Sequence, residues 1–263
     1  MPKLGQHFLH DPNIVRKIIS QASLSSTETV LEIGPGRGIL TRALAQAVPA
    51  GQVIAIELDR ELYRALKASL ADLSNVKLIC ADALTYPFES LPGPFKVVAN
   101  LPYYIATVLL FRLLEVRRKI SDMVLMLQRE VAERMAAGVG GKTYSPLSIA
   151  VQFYTEPRLA FIVPRGCFKP PPKVDSAVVH LKVRMTPAVK VLDEAFFLKV
   201  VKGGFAHRRK ALKNSLKDFG FEREVLEQAS SVISLDLNRR AETLSLEEFA
   251  RLSDILFELT SKI

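Results

Sequence analysis

Thr29–Leu40 reads TVLEIGPGRGIL, and this stretch decides the fold. An apolar, β-branched run breaks at Gly34, Gly36 and Gly38 and resumes as the helical pattern GILTRALAQAV. Strand, glycine turn, helix is the opening of an α/β unit. The missing side chains let the backbone bend tightly and let a ligand press against it. A merely flexible strand-to-helix turn is the plainer reading of the same glycines. A dinucleotide site wants its third glycine one position later, where this chain has Ile39. G-x-G-x-G preceded by Glu32 fits an S-adenosylmethionine pocket better, which disfavours a nicotinamide cofactor.

Outward from that loop, short apolar runs alternate with helical segments. Strands are predicted at 29–33, 52–57, 76–81, 95–100 and 122–128, with RLAFIVP and SAVVHLKV closing the sheet and LSIAVQFY fitting either helix or strand. Such alternation predicts a mainly parallel seven-stranded sheet with helices on both faces. Cys80 falls in the third of these strands and reads as buried. From Asp193 onward the pattern is helical, including AFFLKVVKGGFAHRRKALKNSL, and Ser245 with Glu248 forms a capping box for the last helix. Two domains follow: residues 1–186, α/β, and residues 187–263, a small all-helical domain.

Composition narrows the partners. The chain has 263 residues, 49% hydrophobic, enough for one large core and a satellite. Its N-terminus, MPKLGQHFLHDPNIV, lacks a basic region followed by an apolar core, and no apolar run is long enough to span a membrane, so the cytoplasm is expected. Two cysteines without metal-ligand spacing argue against a disulfide framework or a metal site. The formal net charge of +9 points to a polyanion. The charge is concentrated: Lys199–Lys217 carries Arg208, Arg209, Lys210 and Lys213 among its cations and no acidic residue.

Chemistry-bearing residues recur at strand ends. Glu57 ends the second strand roughly twenty residues past the glycine loop, where a carboxylate can accept from both ribose hydroxyls of a cofactor. Asp82 follows the third strand, within reach of an adenine amine, and both also suit solvated strand-end charges. The fourth strand ends in NLPYY. Asn and Pro suit a turn, but an amide followed by an aromatic also suits an aromatic amine as methyl acceptor. Its lone pair is delocalised into the ring and has to be aimed. Asn100 offers a side-chain carbonyl, and Leu101 a backbone carbonyl held extended by Pro102. Tyr103 offers a ring on which a flipped base can stack. Phe168, ahead of Pro170–Pro172, is the candidate for a second ring, though it also suits an ordinary core position.

Together GQHFL (from Gly5), LEIGPGRGILT, VIAIELD, CADAL, NLPYY, FKPPPKVDSAVV and FAHRRKALKNSL resemble the ribosomal RNA adenine N6-dimethyltransferases, in particular the bacterial small-subunit branch. The resemblance spans nearly the whole chain, in order. It implies a Rossmann-like class I methyltransferase that transfers methyl groups from S-adenosylmethionine to N6 of two adjacent adenosines in the 3′-terminal hairpin loop of 16S rRNA. It also implies that the substrate is the immature small ribosomal subunit and the enzyme a monomer. By the same resemblance His7, Leu9, Gly34, Gly36, Glu57, Asp82 and Asn100 hold the cofactor. His7 stands where many members have asparagine. Asn100, Leu101, Pro102, Tyr103 and Phe168 hold the base, and Arg208, Arg209, Lys210 and Lys213 meet RNA phosphates along one helix. Two rivals are a 23S rRNA methyltransferase of the resistance type and a non-catalytic RNA-binding assembly or transcription factor. The second should show a damaged glycine loop or a lost Asn100, and this chain shows neither.

Overall fold

The computed structural model describes residues 6–261, so Gly5 and the first residues of the N-terminal stretch lie outside the described residues. Contacts divide the chain into two units, one of residues up to 132 with 156–185, the other of residues 133–155 with 186 onward. The helical unit therefore takes in a segment that precedes residue 187 in the chain.

The first unit holds β1 (Phe8–Leu9), α1 (Pro12–Ala22), β2 (Thr29–Ile33), α2 (Ile39–Ala47), β3 (Gln52–Glu57), α3 (Arg60–Ser69), β4 (Val76–Cys80), β5 (Phe95–Asn100), α4 (Ala106–Glu115) and β6 (Ile120–Gln128). After α5 (Arg129–Met135), which runs across the division, it resumes with β7 (Thr155–Val163), β8 (Phe168–Lys169) and β9 (Ser176–Val183). Side chains start the helices: the Asp11 carboxylate accepts from Asn13 N at 2.8 Å, and Asp59 accepts from Glu61 N at 2.9 Å.

Seven strands form one sheet in the order β4-β3-β2-β5-β6-β9-β7. The ladders from β4 through β6 are parallel, and β9 runs antiparallel to β6. This sheet starts at β2, builds outward through β3 to β4, then crosses back to lay β5 on the other side of β2. That reversal opens a crevice at the carboxyl ends of β2 and β5, where ligands bind in open α/β sheets. Both faces are covered. Val30, Val53, Val98 and Val124 pack with α1 and α2 in one cluster, while Leu31, Ile54 and Val97 are equally buried outside it. β4 is an edge strand, and Cys80 at its end is exposed, contrary to the sequence reading. An edge position leaves that residue without the second neighbour that would cover it.

In the second unit α6 (Pro146–Tyr154) settles the ambiguous LSIAVQFY as helix, and α7 (Glu194–Gly204), α8 (Leu212–Asp218), α9 (Arg223–Ile233) and α10 (Leu246–Thr260) follow. Stacked and tilted rings tie them together, Phe153 with Phe197 at 4.6 Å and Phe205 with Phe249 at 5.9 Å. The capping box of α10 is present, with Ser245 Oγ accepting from Glu248 N at 3.1 Å and Glu248 accepting from Ser245 N at 2.8 Å. The long helix expected from residue 195 to 216 is instead broken. α7 ends at Gly204 because α8 folds back against it: a Cβ on Gly203 would lie 2.7 Å from the Phe219 ring, and one on Gly204 2.9 Å from Leu212. Among the described residues no helix is long and apolar enough to cross a membrane.

Candidate active site

The carboxyl edge of the sheet opens into a cavity of about 670 Å³, walled by the glycine loop, the ends of β3 and β5, and the N-terminal segment. His7, Leu9, Gly34, Gly36, Glu57, Asp82, Asn100, Leu101, Pro102 and Tyr103 all line it. Long sequence separations close there because Gly34 through Tyr103 each end or follow a strand of the seven-stranded sheet, while His7 and Leu9 come with β1, which pairs with β8 in a separate two-stranded sheet.

The glycine loop has the shape its residues allow. Gly34 sits at φ +70° and Gly36 at φ +59°, a region closed to most side chains. A Cβ on Gly36 would stand 3.0 Å from the Phe8 ring, and one on Gly34 3.5 Å from Pro102. A side chain at Gly36 would crowd Phe8, and one at Gly34 would press on the NLPYY turn, both of which also line the cavity.

Glu57 braces the loop. Its Oε2 accepts from Gly36 N at 3.2 Å and its Oε1 from Asp59 N at 2.9 Å. Burial pushes its pKa up, and the Asp59 and Gly36 N–H groups oppose that rise. A carboxylate has about four lone-pair sites, so each oxygen keeps capacity for a hydroxyl donor. Asp82 accepts from Leu84 N at 2.9 Å through Oδ1. Glu32, behind the loop, is fully buried with Oε2 unpartnered, and burial raises its pKa to about 8.

Asn100 ends β5 paired with Met126 of β6, and Leu101 N donates to Met126 O at 2.9 Å. The backbone of the motif is therefore held by the sheet itself. Asn100 Oδ1 is buried with no hydrogen-bond partner among the described residues. An orphaned buried acceptor costs stability of the order of 1–3 kcal/mol and is retained where a ligand supplies the donor. Next to it the Tyr103 hydroxyl lies 2.5 Å from Ser176 Oγ, and the Tyr103 ring stacks against His7 with centroids 5.8 Å apart. Burial raises the Tyr103 pKa while the Ser176 hydrogen bond opposes it.

Phe168 is not brought to the cavity. β8 pairs antiparallel with β1, Leu9 opposite Phe168, and strand alternation turns Phe168 inward and Lys169 outward. At 2% exposed it packs in the core with Leu9, Ile14 and Val178. The basic quartet also departs from the sequence reading. Arg208, Arg209 and Lys210 occupy the turn between α7 and α8, with only Lys213 on a helix. Arg208 pairs with Glu242 at 3.3 Å and donates to Lys142 O, and Lys210 pairs with Asp218 at 2.7 Å. Arg209 is exposed.

Among the cavity residues that the sequence reading did not assign are Leu58 and Tyr104, large side chains 56% and 71% exposed beside Glu57 and Tyr103. The signal was a large side chain just past a strand's functional end. Ser176 gave no such signal, since its partner lies 73 residues away.

The cavity fits an adenosylmethionine-sized group: a cradle that a Cβ would fill, a buried carboxylate with spare acceptor capacity, and an orphaned amide oxygen meet on its wall. Fold and site define a Rossmann-like methyltransferase. Residues 1–258 match the model for "Ribosomal RNA adenine dimethylase", and the chain belongs to that family. It is 48% identical to Ribosomal RNA small subunit methyltransferase A of Moorella thermoacetica over 96% of this chain and 91% of that one. The Bacillus mycoides protein of the same name is 44% identical, with 96% and 90% covered. Among solved structures, a Plasmodium falciparum dimethyladenosine transferase superposes with a TM-score of 0.81 at 28% identity, covering 97% and 98% of the two chains. The 23S rRNA methyltransferase ErmE superposes with a TM-score of 0.73 at 29% identity, covering 95% and 99%.

Proposed function

We propose that this protein methylates N6 of two adjacent adenosines in the 3′-terminal hairpin loop of 16S rRNA, giving N6,N6-dimethyladenosine in the immature small subunit. The observation that carries the reading is the buried, unpartnered Asn100 Oδ1 at the cavity wall. S-adenosylmethionine, when bound, supplies a methyl carbon activated by a sulfonium sulfur. Gly34, Gly36, Glu57 and Asp82 would hold it, with His7 and Leu9 closing the wall.

The chain's own work is orientation. Asn100 Oδ1 and the Leu101 carbonyl accept the two hydrogens of the adenine amine, pyramidalise its nitrogen and draw the lone pair out of conjugation with the ring. A neutral amide suits this, because the amine needs aiming more than deprotonating, and alignment supplies most of the acceleration. Pro102 restricts Leu101 to extended geometry, and the Tyr103 ring receives the unstacked base. RNA phosphates meet the basic turn of the helical unit, and the protein works as a cytoplasmic monomer. Residues 1–186 carry the transfer and 187–263 RNA binding.

ErmE raises the second reading, a 23S rRNA target, since it shares this fold at 29% identity. The greater identity of relatives named for the small subunit favours the first. One experiment separates them. Incubate the protein with labelled adenosylmethionine and undermethylated small subunits, large subunits or free RNA, then map the label. Label on paired adenosines of the 16S 3′ hairpin is expected. Label confined to 23S rRNA selects the rival, and no label under any condition removes the enzyme reading.

A further inference from the structure

We infer that Ser176 is a positioning residue for the transfer site: its hydroxyl pins the Tyr103 phenol and so fixes the ring that faces the cavity.

The geometry comes from the register of the sheet. β6 lies between β5 and β9, with Asn100 opposite Met126 on one side and Ser176 opposite Gln128 on the other. The start of β9 therefore stands beside the turn that follows β5. Ser176 is fully buried, and its backbone neighbours are tied down. Asp175 O accepts from Arg129 N at 3.0 Å, and Asp175 Oδ1 from Arg165 N at 3.0 Å. From this rigid base the Ser176 hydroxyl meets Tyr103 OH at 2.5 Å. Holding the far end of a tyrosine fixes its first side-chain torsion, while rotation of the ring about the axis through that oxygen is left to whatever stacks on its face.

The ring is backed from the other side. His7 stacks on it at an interplanar angle of 30°, and His7 Nδ1 lies 2.9 Å from Pro170 O. A carbonyl can only accept, so Nδ1 carries a proton and the imidazole is held in one orientation. The segment from Pro170 to Ser176 thus grips Tyr103 twice, through His7 and through Ser176. Phe168, just ahead of it, supplies only core packing. Ordering the ring before the base arrives removes that entropy cost from binding.

The effect on turnover rests on the proposed handling of the base by Tyr103, while the geometry stands apart from it, and the test separates the two. Tyr103 is read first without substrate, as the 3-fluorotyrosine 19F signal that Tyr103→Phe deletes. Ser176→Ala is expected to shift and broaden that signal, and Ser176→Cys, which keeps a weak donor, to restore it in part. In methylation assays Ser176→Ala should raise KM for RNA roughly three- to tenfold, with adenosylmethionine affinity unchanged by calorimetry. Tyr103→Phe breaks the same bond from the less buried side and should match it. Adding Ser176→Ala to Tyr103→Phe should cost nothing more. An unmoved 19F signal, or full additivity of the two substitutions, overturns the inference whatever the RNA target proves to be. If Ser176→Ala does not fold, Ser176→Cys takes its place, and a Tyr103 19F signal identical to that of the unsubstituted protein then overturns the inference.

Discussion

The carboxyl edge of the sheet and the basic segment Lys199–Lys217 were both conspicuous in the sequence, yet they fared differently on folding. At the sheet edge, residues spread from Gly34 to Asn100 converge on one cavity. In the basic segment, a run without acid acquires acid from elsewhere: Glu242 on Arg208 and Asp218 on Lys210. Strand ends are local facts. A side chain just past a strand of a parallel sheet has to emerge at that edge, because ladder and crossover connection leave it nowhere else. The availability of a charge is not local, since a partner can arrive from any later turn of chain.

The comparison breaks first at Asn100. Asn100→Ala is expected to lower single-turnover methyl transfer by at least about 100-fold while RNA binding persists. Near-normal turnover would mean that the sheet edge holds no catalytic group at this position. Glu57→Ala should weaken adenosylmethionine binding by about 10-fold or more, read by calorimetry, because it removes a charged acceptor and the brace on Gly36 N. Unaltered affinity would assign Glu57 to loop support alone.

Glu32 tests the burial of that edge through pH. Between its ordinary value of 4.5 and about 8 the unfolded chain has lost the Glu32 proton and the folded chain keeps it. Folding then takes up a proton, so this carboxyl makes stability fall as pH rises across the window. Glu32→Gln should flatten the slope in urea unfolding between those pH values. An unchanged slope would show that Glu32 titrates normally.

The smallest effects belong to the basic turn. Arg209→Ala should reduce the slope of log K against log salt for RNA by about 0.7–0.9, the value of one phosphate contact. Lys210→Ala should do less, since Asp218 already holds that ammonium. Equal losses would mean that RNA displaces Asp218, and the basic segment would then act as its sequence suggests.

Legibility followed the same divide. The α/β alternation, the glycine loop, the strand-end carboxylates, the NLPYY turn and the α10 capping box were readable because each rests on a period or spacing within a few residues. Cys80, Phe168 and the helix expected through Arg208 were misread because each needed a neighbour remote in sequence: the edge position of β4, the pairing of β8 with β1, and the folding back of α8 on Gly203.

By itself the sequence settled which residues end strands, where the backbone must be bare, and hence the kind of pocket this protein builds. The tertiary structure alone decided which aromatic faces the pocket, which cations stay unpaired, and that a serine 73 positions away grips Tyr103. The physical reason is range. Periodicity and turn chemistry act between neighbours along the chain, whereas burial, ion pairing and ring contacts exist only once distant segments have met.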